Sequence, residues 1–204
     1  MTVTVIDSPY SNIRNVVGAL ERIGAEVRLT ADPKIVEGAD RIILPGVGSF
    51  AASRQWLRAG DLDTAIRSAV ARGAALLGIC VGYQLFFEAS EEMGWTEGFG
   101  FFKGVIRRFE TGRSVPQIGW NPVGHGQTAL FDGIEQETPF FFANSYQSAD
   151  VSSSHCVATA DYGGPFVAAA ENGLIAGVQF HPERSGQAGL QLLRNFVWRQ
   201  AGRE

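Results

Sequence analysis

Two short segments carry residue types that together could perform acyl transfer. The first is Leu76-Leu-Gly-Ile-Cys80-Val-Gly-Tyr-Gln-Leu85, which contains Gly78-x-Cys80-x-Gly82. This is the thiol version of a nucleophile elbow, a sharp strand-to-helix turn whose flanking glycines let the backbone pass close to its neighbours. A cysteine at a helix N-terminus has its thiolate favoured by the helix dipole. The N–H of Val81, next along the chain, can point at a developing oxyanion. A cysteine without such surroundings is most often a small buried hydrophobe; the glycines and the strand-turn-helix pattern set Cys80 apart. The second segment is Gly177-Val-Gln-Phe-His181-Pro-Glu183. His181 and Glu183 lie two residues apart, on the same side of an extended backbone, and Pro182 keeps the intervening chain out of helix. A carboxylate can then hold one imidazole nitrogen while the other faces a thiol, which is the arrangement of nucleophile, base and orienting acid. Alone, the His-Pro-Glu segment could equally be a surface turn.

A third segment, Pro45-Gly-Val-Gly48, follows a strand pattern. Ligands of parallel sheets bind at the carboxyl ends of the strands, so this loop and Cys80 can face each other, and the Gly46–Gly48 backbone could supply a second oxyanion donor. An ordinary Pro-Gly turn remains the alternative. Other chemistry-bearing residues carry less. His155 and Cys156 are adjacent, so on a strand they face opposite sides, and Cys156 reads as core. His125 reads as a solvated loop residue. Glu88, Glu91 and Glu92 read as a solvated helix face. No G-x-x-x-x-G-K or G-x-G-x-x-G pattern is present, and the lysines are Lys34 and Lys103 alone. The expectation is therefore a chain without cofactor or metal.

The elements that must position these residues follow from apolar periodicity. In the first half, strands at Thr2 to Ile6, Glu26 to Thr30, Arg41 to Leu44 and Ala75 to Ile79 alternate with helical patterns at Ile13 to Ile23, Ser53 to Ala59 and Leu62 to Arg72. A further helix is expected directly after Cys80. This βα alternation argues for a mostly parallel, flavodoxin-like central sheet with helices on both faces. The second half reads as strands at Phe99 to Phe109, Pro116 to Val123, Pro139 to Tyr146, Cys156 to Ala160, Phe166 to Glu171 and Leu174 to Phe180. Glu171-Asn-Gly-Leu174 is a hairpin signal. Antiparallel strands are thus expected to extend or flank the parallel core, and an amphipathic helix to close the chain near Gly189 to Gln200.

Composition bounds the function classes. The 204 residues are 45% hydrophobic and 19% charged, which suits one folded domain over 1–204. A net charge of −4 with no basic stripe argues against nucleic acid. Two cysteines and three histidines argue against a disulfide framework or a zinc site. The N-terminus lacks the pattern of a signal peptide, and the longest apolar stretch, about 14 residues, is too short for a bilayer span. A cytoplasmic protein without a membrane partner is expected.

Taken together, Pro45-Gly-Val-Gly48, Gly78-Ile-Cys-Val-Gly-Tyr-Gln84 and Gln179-Phe-His-Pro-Glu183 resemble, in order and spacing, the class I (triad) glutamine amidotransferases. Ser11-Asn-Ile-Arg14, Val115-Pro-Gln-Ile-Gly-Trp-Asn121, Phe142-Ala-Asn-Ser-Tyr146 and His181-Pro-Glu-Arg-Ser185 are more similar to the glutaminase subunits of imidazole glycerol phosphate synthases, of histidine biosynthesis. The resemblance covers essentially the whole chain. It implies a Cys80-His181-Glu183 triad that hydrolyses glutamine through a cysteinyl thioester, with the N–H groups of Val47 and Val81 as oxyanion hole. It implies that Gly48, Gln84, Glu92, Ser145 and Tyr146 line the glutamine site. It also implies a heterodimer in which ammonia passes to a (β/α)8-barrel cyclase subunit.

The lack of a phosphate site on this chain independently argues that the ammonia acceptor binds elsewhere. Trp120 and Asn121, with Asn12 from the matched N-terminal segment, are candidate interface residues; Phe140 to Phe142 read better as packed core. The sequence departs from the family pattern at Ser8 to Ser11, Tyr83, Gln117 and Asn144. Glutaminases of pyridoxal phosphate or anthranilate synthesis, a stand-alone γ-glutamyl hydrolase and a non-catalytic module remain the competing readings.

Overall fold

The structure, a computed structural model, describes residues 1–9 and 12–198. Ser11 and the expected end of the last helix at Gln200 lie outside the described residues. The first half alternates as its apolar pattern predicts: β1 (Thr2–Ile6), α1 (Ile13–Arg22), β2 (Glu26–Thr30), α2 (Pro33–Glu37), β3 (Arg41–Gly46), α3 (Phe50–Ala59), α4 (Leu62–Ala71) and β4 (Ala75–Cys80). Val16, Ala19 and Leu20 form the buried stripe of α1. Helix α2 is an addition to the sequence reading. Asp32 caps it by accepting from the Lys34 N–H at 2.9 Å, and Pro33 occupies the first turn, where its missing N–H costs nothing.

After β4 the chain makes a single helical turn, α5 (Val81–Gln84), and then returns to strand. β5 (Phe87–Ser90), β6 (Thr96–Glu97), β7 (Phe102–Arg108), β8 (Gln117–His125), β9 (Thr138–Asn144), β10 (Tyr146–Gln147), β11 (Cys156–Asp161), β12 (Pro165–Asn172) and β13 (Ile175–Val178) precede the last helix, α6 (Gly186–Trp198). Nine strands form one sheet in the order β2-β1-β3-β4-β13-β12-β11-β8-β9; β10-β7-β5-β6 form a second. The first five strands of the large sheet are parallel, and the rest pair antiparallel. Right-handed crossovers place α1 on one face, because the chain moves outward from β1 to β2. They place α2, α3 and α4 on the other face, because it then moves back across β1 to β3 and β4. The packing agrees: α1 lies against α6, and α4 against α2 and α3. Both β3 and β4 are buried along their whole length, as central parallel strands covered on both faces must be.

Four local expectations change. The helix expected after Cys80 is a single turn: α5 stops at Gln84, and Phe87 to Ser90 pair with β7. A short apolar run does not by itself separate helix from buried strand; here the pairing partner decides. Glu88, Glu91 and Glu92 therefore share no helix face. Glu88 pairs with Lys103 at 3.2 Å and Glu91 with Arg107 at 3.0 Å across the β5–β7 strands. His125 ends β8 instead of occupying a loop, and its ring stacks on Phe131 with centroids 4.6 Å apart. The β12–β13 hairpin forms, with Asn172 paired to Ile175, and the positive φ falls on Gly173 (60°) alone. Cys156 is only partly buried, its Sγ 3.6 Å from the Ala158 carbonyl oxygen. Among the described residues no helix is long and apolar enough to cross a membrane.

Candidate active site

Cys80 is the last residue of β4 and directly precedes α5, with φ 55° and ψ −113°. A non-glycine residue at positive φ costs on the order of 1–3 kcal/mol. The surroundings hold it there. Gly78 leaves room for Tyr83 and Phe86: a Cβ at that position would sit 2.7 Å from the Tyr83 nitrogen and 2.6 Å from the Phe86 ring. At Gly82 a Cβ would overlap the carbonyl oxygen of Leu44 on β3. The two glycines thus let α5 turn back hard against the sheet, as the elbow reading requires. Cys80 is 3% exposed, and its Sγ lies 3.9 Å from Gln179 Nε2.

The partners of the thiol come from the end of β13. His181 follows it, and a single 3-10 turn over Pro182–Arg184 swings Glu183 back under the ring. His181 Nδ1 and Glu183 Oε1 are 2.9 Å apart, with both side chains almost fully buried. Nδ1 therefore carries the proton that Glu183 accepts, and the other ring nitrogen is left for Cys80. Burial alone would push the imidazole towards its neutral form. The charge and hydrogen bond of Cys80, then those of Glu183, outweigh it and lift the His181 pKa to about 10. The protonated imidazole is thus favoured where the ring sits between the Cys80 sulfur and the Glu183 carboxyl group.

Strands β3 and β4 end level, because Gly46 pairs with Cys80 in the parallel ladder. Val47 and Val81 are consequently the next residues on two neighbouring strands, and both line the same cleft of about 300 Å³ as Cys80 and His181. Gly48 (φ 91°), Gln84, Glu92, Ser145 and Tyr146 line it too. Every expected substrate residue is thus brought to one place. Glu92 also braces the adjoining loop. Its Oε2 accepts the Phe50 N–H at 2.7 Å, which caps α3 directly behind the Gly46–Gly48 loop, while Ser49 accepts from Ala52.

The three expected interface residues separate. Asn12 lines the cleft itself. Trp120 stands 57% exposed on β8 beside Ile118 at 69%, opposite Phe141 and Ala143 of β9. Asn121 donates from Nδ2 to the Asp161 carbonyl at 2.8 Å. Phe140 and Phe142 are fully buried, and Phe140 packs on Phe180 with centroids 4.2 Å apart. Phe141 faces the other side, under the Arg184 guanidinium at 3.9 Å. Tyr83, one of the departures from the family pattern, is fully buried, and its hydroxyl donates to the Val167 carbonyl at 3.2 Å. Asn144, another, donates to the Tyr146 carbonyl at 3.0 Å.

One residue of the site was given no role by sequence reasoning. Gln179 is wholly buried, with its Nε2 3.9 Å from Cys80 Sγ and its Oε1 accepting from Gln84 Nε2 at 2.9 Å. The signal was available, since Gln179 and His181 are two apart in the sequence that continues the β13 pattern, a spacing that in extended chain puts both on one side.

Comparison with known proteins points to one family. The family model described as glutamine amidotransferase class-I matches residues 4–200. A protein of Herpetosiphon aurantiacus named imidazole glycerol phosphate synthase subunit HisH is 45% identical over 195 residues, covering 96% of this chain and 93% of the relative. A protein of the same name from Caulobacter vibrioides is 41% identical, covering 97% and 99%. Among solved structures, one described as a glutamine amidotransferase superposes with a TM-score of 0.75 at 20% identity, covering 96% of this chain and 97% of the other. PurLQS from Thermotoga maritima superposes at 0.68 with 22% identity, covering 96% and 97%. At such identities these two likenesses speak to the fold alone.

Proposed function

Since the chain belongs to the class I glutamine amidotransferases, with HisH relatives matched over almost their whole length, we propose that it is the glutaminase subunit of an imidazole glycerol phosphate synthase, acting in histidine biosynthesis. The observation that carries the chemical part is the convergence of Cys80, His181 and Glu183 on one cleft, with the thiol on a strained elbow and the imidazole held by a buried carboxylate.

The proposed mechanism follows from that geometry. The Cys80 thiolate attacks the side-chain amide carbon of glutamine. The carbonyl oxygen becomes an oxyanion, met by the N–H groups of Val81 and Val47, which directly follow adjacent strands that end at the same level. When the C–N bond breaks, His181 gives its proton to the leaving nitrogen, and ammonia departs. The γ-glutamyl group is left as a thioester on Cys80. The now neutral His181 takes a proton from water as that water attacks the thioester carbon. The C–S bond breaks, glutamate is released, and the thiolate–imidazolium pair is restored. Glu183 holds the ring throughout by accepting from Nδ1. Glu92 offers a carboxylate to the substrate's α-ammonium, Gln84, whose NH2 is engaged by Tyr146 and Gln179, lines the same pocket, and the Ser145–Tyr146 segment faces its α-carboxylate end.

Ammonia then needs an acceptor on another chain. The reading assigns that role to a (β/α)8-barrel cyclase subunit, docked over the exposed face of β8 and β9. Ile118 and Trp120 make that face apolar, and Arg184 and Phe141 carry it to the mouth of the cleft. Apolar aromatic side chains exposed beside a reactive site fit an interface better than a solvated surface. A single domain over the whole chain fits the family match, and two unpaired cysteines fit a reducing cytoplasm. The test is to purify the chain with the cyclase subunit of the same organism and assay glutamine-dependent synthesis of imidazole glycerol phosphate. A one-to-one complex whose glutamine hydrolysis rises when the acceptor nucleotide is bound is expected. Vigorous hydrolysis by the chain alone, with no complex formed, would replace the subunit reading with a stand-alone hydrolase.

A further inference from the structure

We propose that Gln179 is a neutral hydrogen-bond donor to the Cys80 sulfur, held in its donating orientation by Gln84, and that this contact favours the thiolate. The proposal rests on Cys80 being the nucleophile, and it adds a residue that the triad does not include.

One atom in this network cannot turn over. The Tyr146 carbonyl oxygen belongs to the backbone and can only accept. Gln84 Nε2 lies 3.0 Å from it and 2.9 Å from Gln179 Oε1. If the Gln84 amide were reversed, its oxygen would face the Tyr146 oxygen, acceptor against acceptor. The NH2 group of Gln84 is therefore on this side, and it has two hydrogens for two acceptors. That in turn fixes Gln179. Its oxygen must meet the Gln84 NH2, because the reverse arrangement would set donor against donor. Only Nε2 of Gln179 is then left to face Cys80 Sγ, at 3.9 Å. Orientations of amides are set by such networks, and this one is anchored at a main-chain atom.

The energetic consequence follows from burial. Gln179 is completely buried, so water does not compete for its hydrogens. A neutral thiol accepts hydrogen bonds weakly, whereas a thiolate accepts a charge-assisted one. A donor fixed at the sulfur therefore favours the charged form. Unlike His181, it does so without losing a proton during the reaction, so it acts through attack and through release of the sulfur alike. Gln84 is a positioning residue in this chain of contacts: it also lines the cleft, so the amide that orients Gln179 stands where substrate enters.

The test reads the thiol directly. The sequence contains two cysteines, so a Cys156→Ala background leaves Cys80 as the sole target of iodoacetamide. The rate of alkylation against pH is measured for that background, for Gln179→Met, which keeps the shape and cannot donate, and for Gln179→Glu, which sets an anion against the sulfur. The midpoint is expected to rise by about one pH unit in Gln179→Met and by more in Gln179→Glu. In Gln179→Met, kcat/KM for glutamine is expected to fall about tenfold in the assembled complex, with the loss in kcat. A purely structural role would lower the melting temperature and leave the midpoint where it was. An unchanged midpoint in either folded variant would overturn the proposal. That outcome would leave the glutaminase reading intact, because the alkylation experiment does not depend on glutamine turnover.

Discussion

Glu183→Gln is the perturbation that isolates the electrostatic part of the triad. The substitution preserves size and leaves an oxygen that can still accept from His181 Nδ1, now 2.9 Å from Glu183 Oε1. Glu183 Oε2 is buried without a hydrogen-bond partner, so nothing on that side forces the new amide into the wrong orientation. The imidazole should therefore keep its placement and lose one of its two anionic neighbours. With both present, its pKa is lifted to about 10 against the opposing effect of burial.

The sign of the pH effect follows. A raised histidine pKa means that the protonated, ammonia-releasing form persists as pH rises and is lost as pH passes about 10. Removing an adjacent anion typically lowers such a pKa by about 1–3 units. The alkaline limb of kcat/KM in the assembled complex should move down by that amount, to about pH 7–9, while the acid limb moves little. With orientation retained, the loss of kcat at neutral pH should be about 10²–10³-fold, less than the roughly 10⁴-fold seen where an amide enforces the wrong tautomer. The assay is glutamate release with acceptor bound, from pH 6 to 11. An alkaline limb that does not move would refute the assignment of Glu183 as the charge that holds the imidazolium.

Two further outcomes test the scaffold and the docking face. Trp120→Glu places a charge on the exposed apolar face of β8 and should weaken cyclase binding by about thirtyfold or more, read by titration calorimetry, since buried aromatic anchors commonly contribute at least about 2 kcal/mol; unchanged affinity would remove that face from the interface. Asp63→Asn removes the anion that faces Arg54, whose guanidinium is 2% exposed. Nη2 donates to Oδ2 at 3.2 Å, while Nη1, 3.0 Å from Oδ1, makes an ionic contact out of line for a hydrogen bond. Arg54 keeps the carbonyls of Glu97 and Gly98. The cost should thus fall below the 3–5 kcal/mol of a fully orphaned buried charge, at about 2 kcal/mol in urea unfolding.

Local chemistry explains which parts of this molecule were readable from its residues. The elbow was legible because only glycine fits at Gly78 and Gly82, and that constraint is written in residue type. His181 and Glu183 were legible through their spacing. The same period of two pointed at Gln179, but an amide has no titration to draw attention, and its role emerges only when Gln84 and Tyr146 arrive from distant segments. The capping of α2 by Asp32 with Pro33 was an available signal that went unused. The strand at Phe87 to Ser90 was not legible, since its identity depends on pairing with Phe102, Val105 and Ile106 across the second sheet. The capping role of Glu92 lay hidden for the same reason, although its place in the cleft was expected: its contact with the Phe50 N–H joins residues 42 apart in sequence.

The most direct test of the central claim, that Cys80 generates the ammonia which a partner consumes, is the Cys80→Ala variant assayed in the purified complex with glutamine and, separately, with ammonium salt. Glutamine-dependent synthesis is expected to vanish and ammonia-dependent synthesis to continue at the unmodified rate. Persistent glutamine-dependent synthesis in that variant would contradict the account.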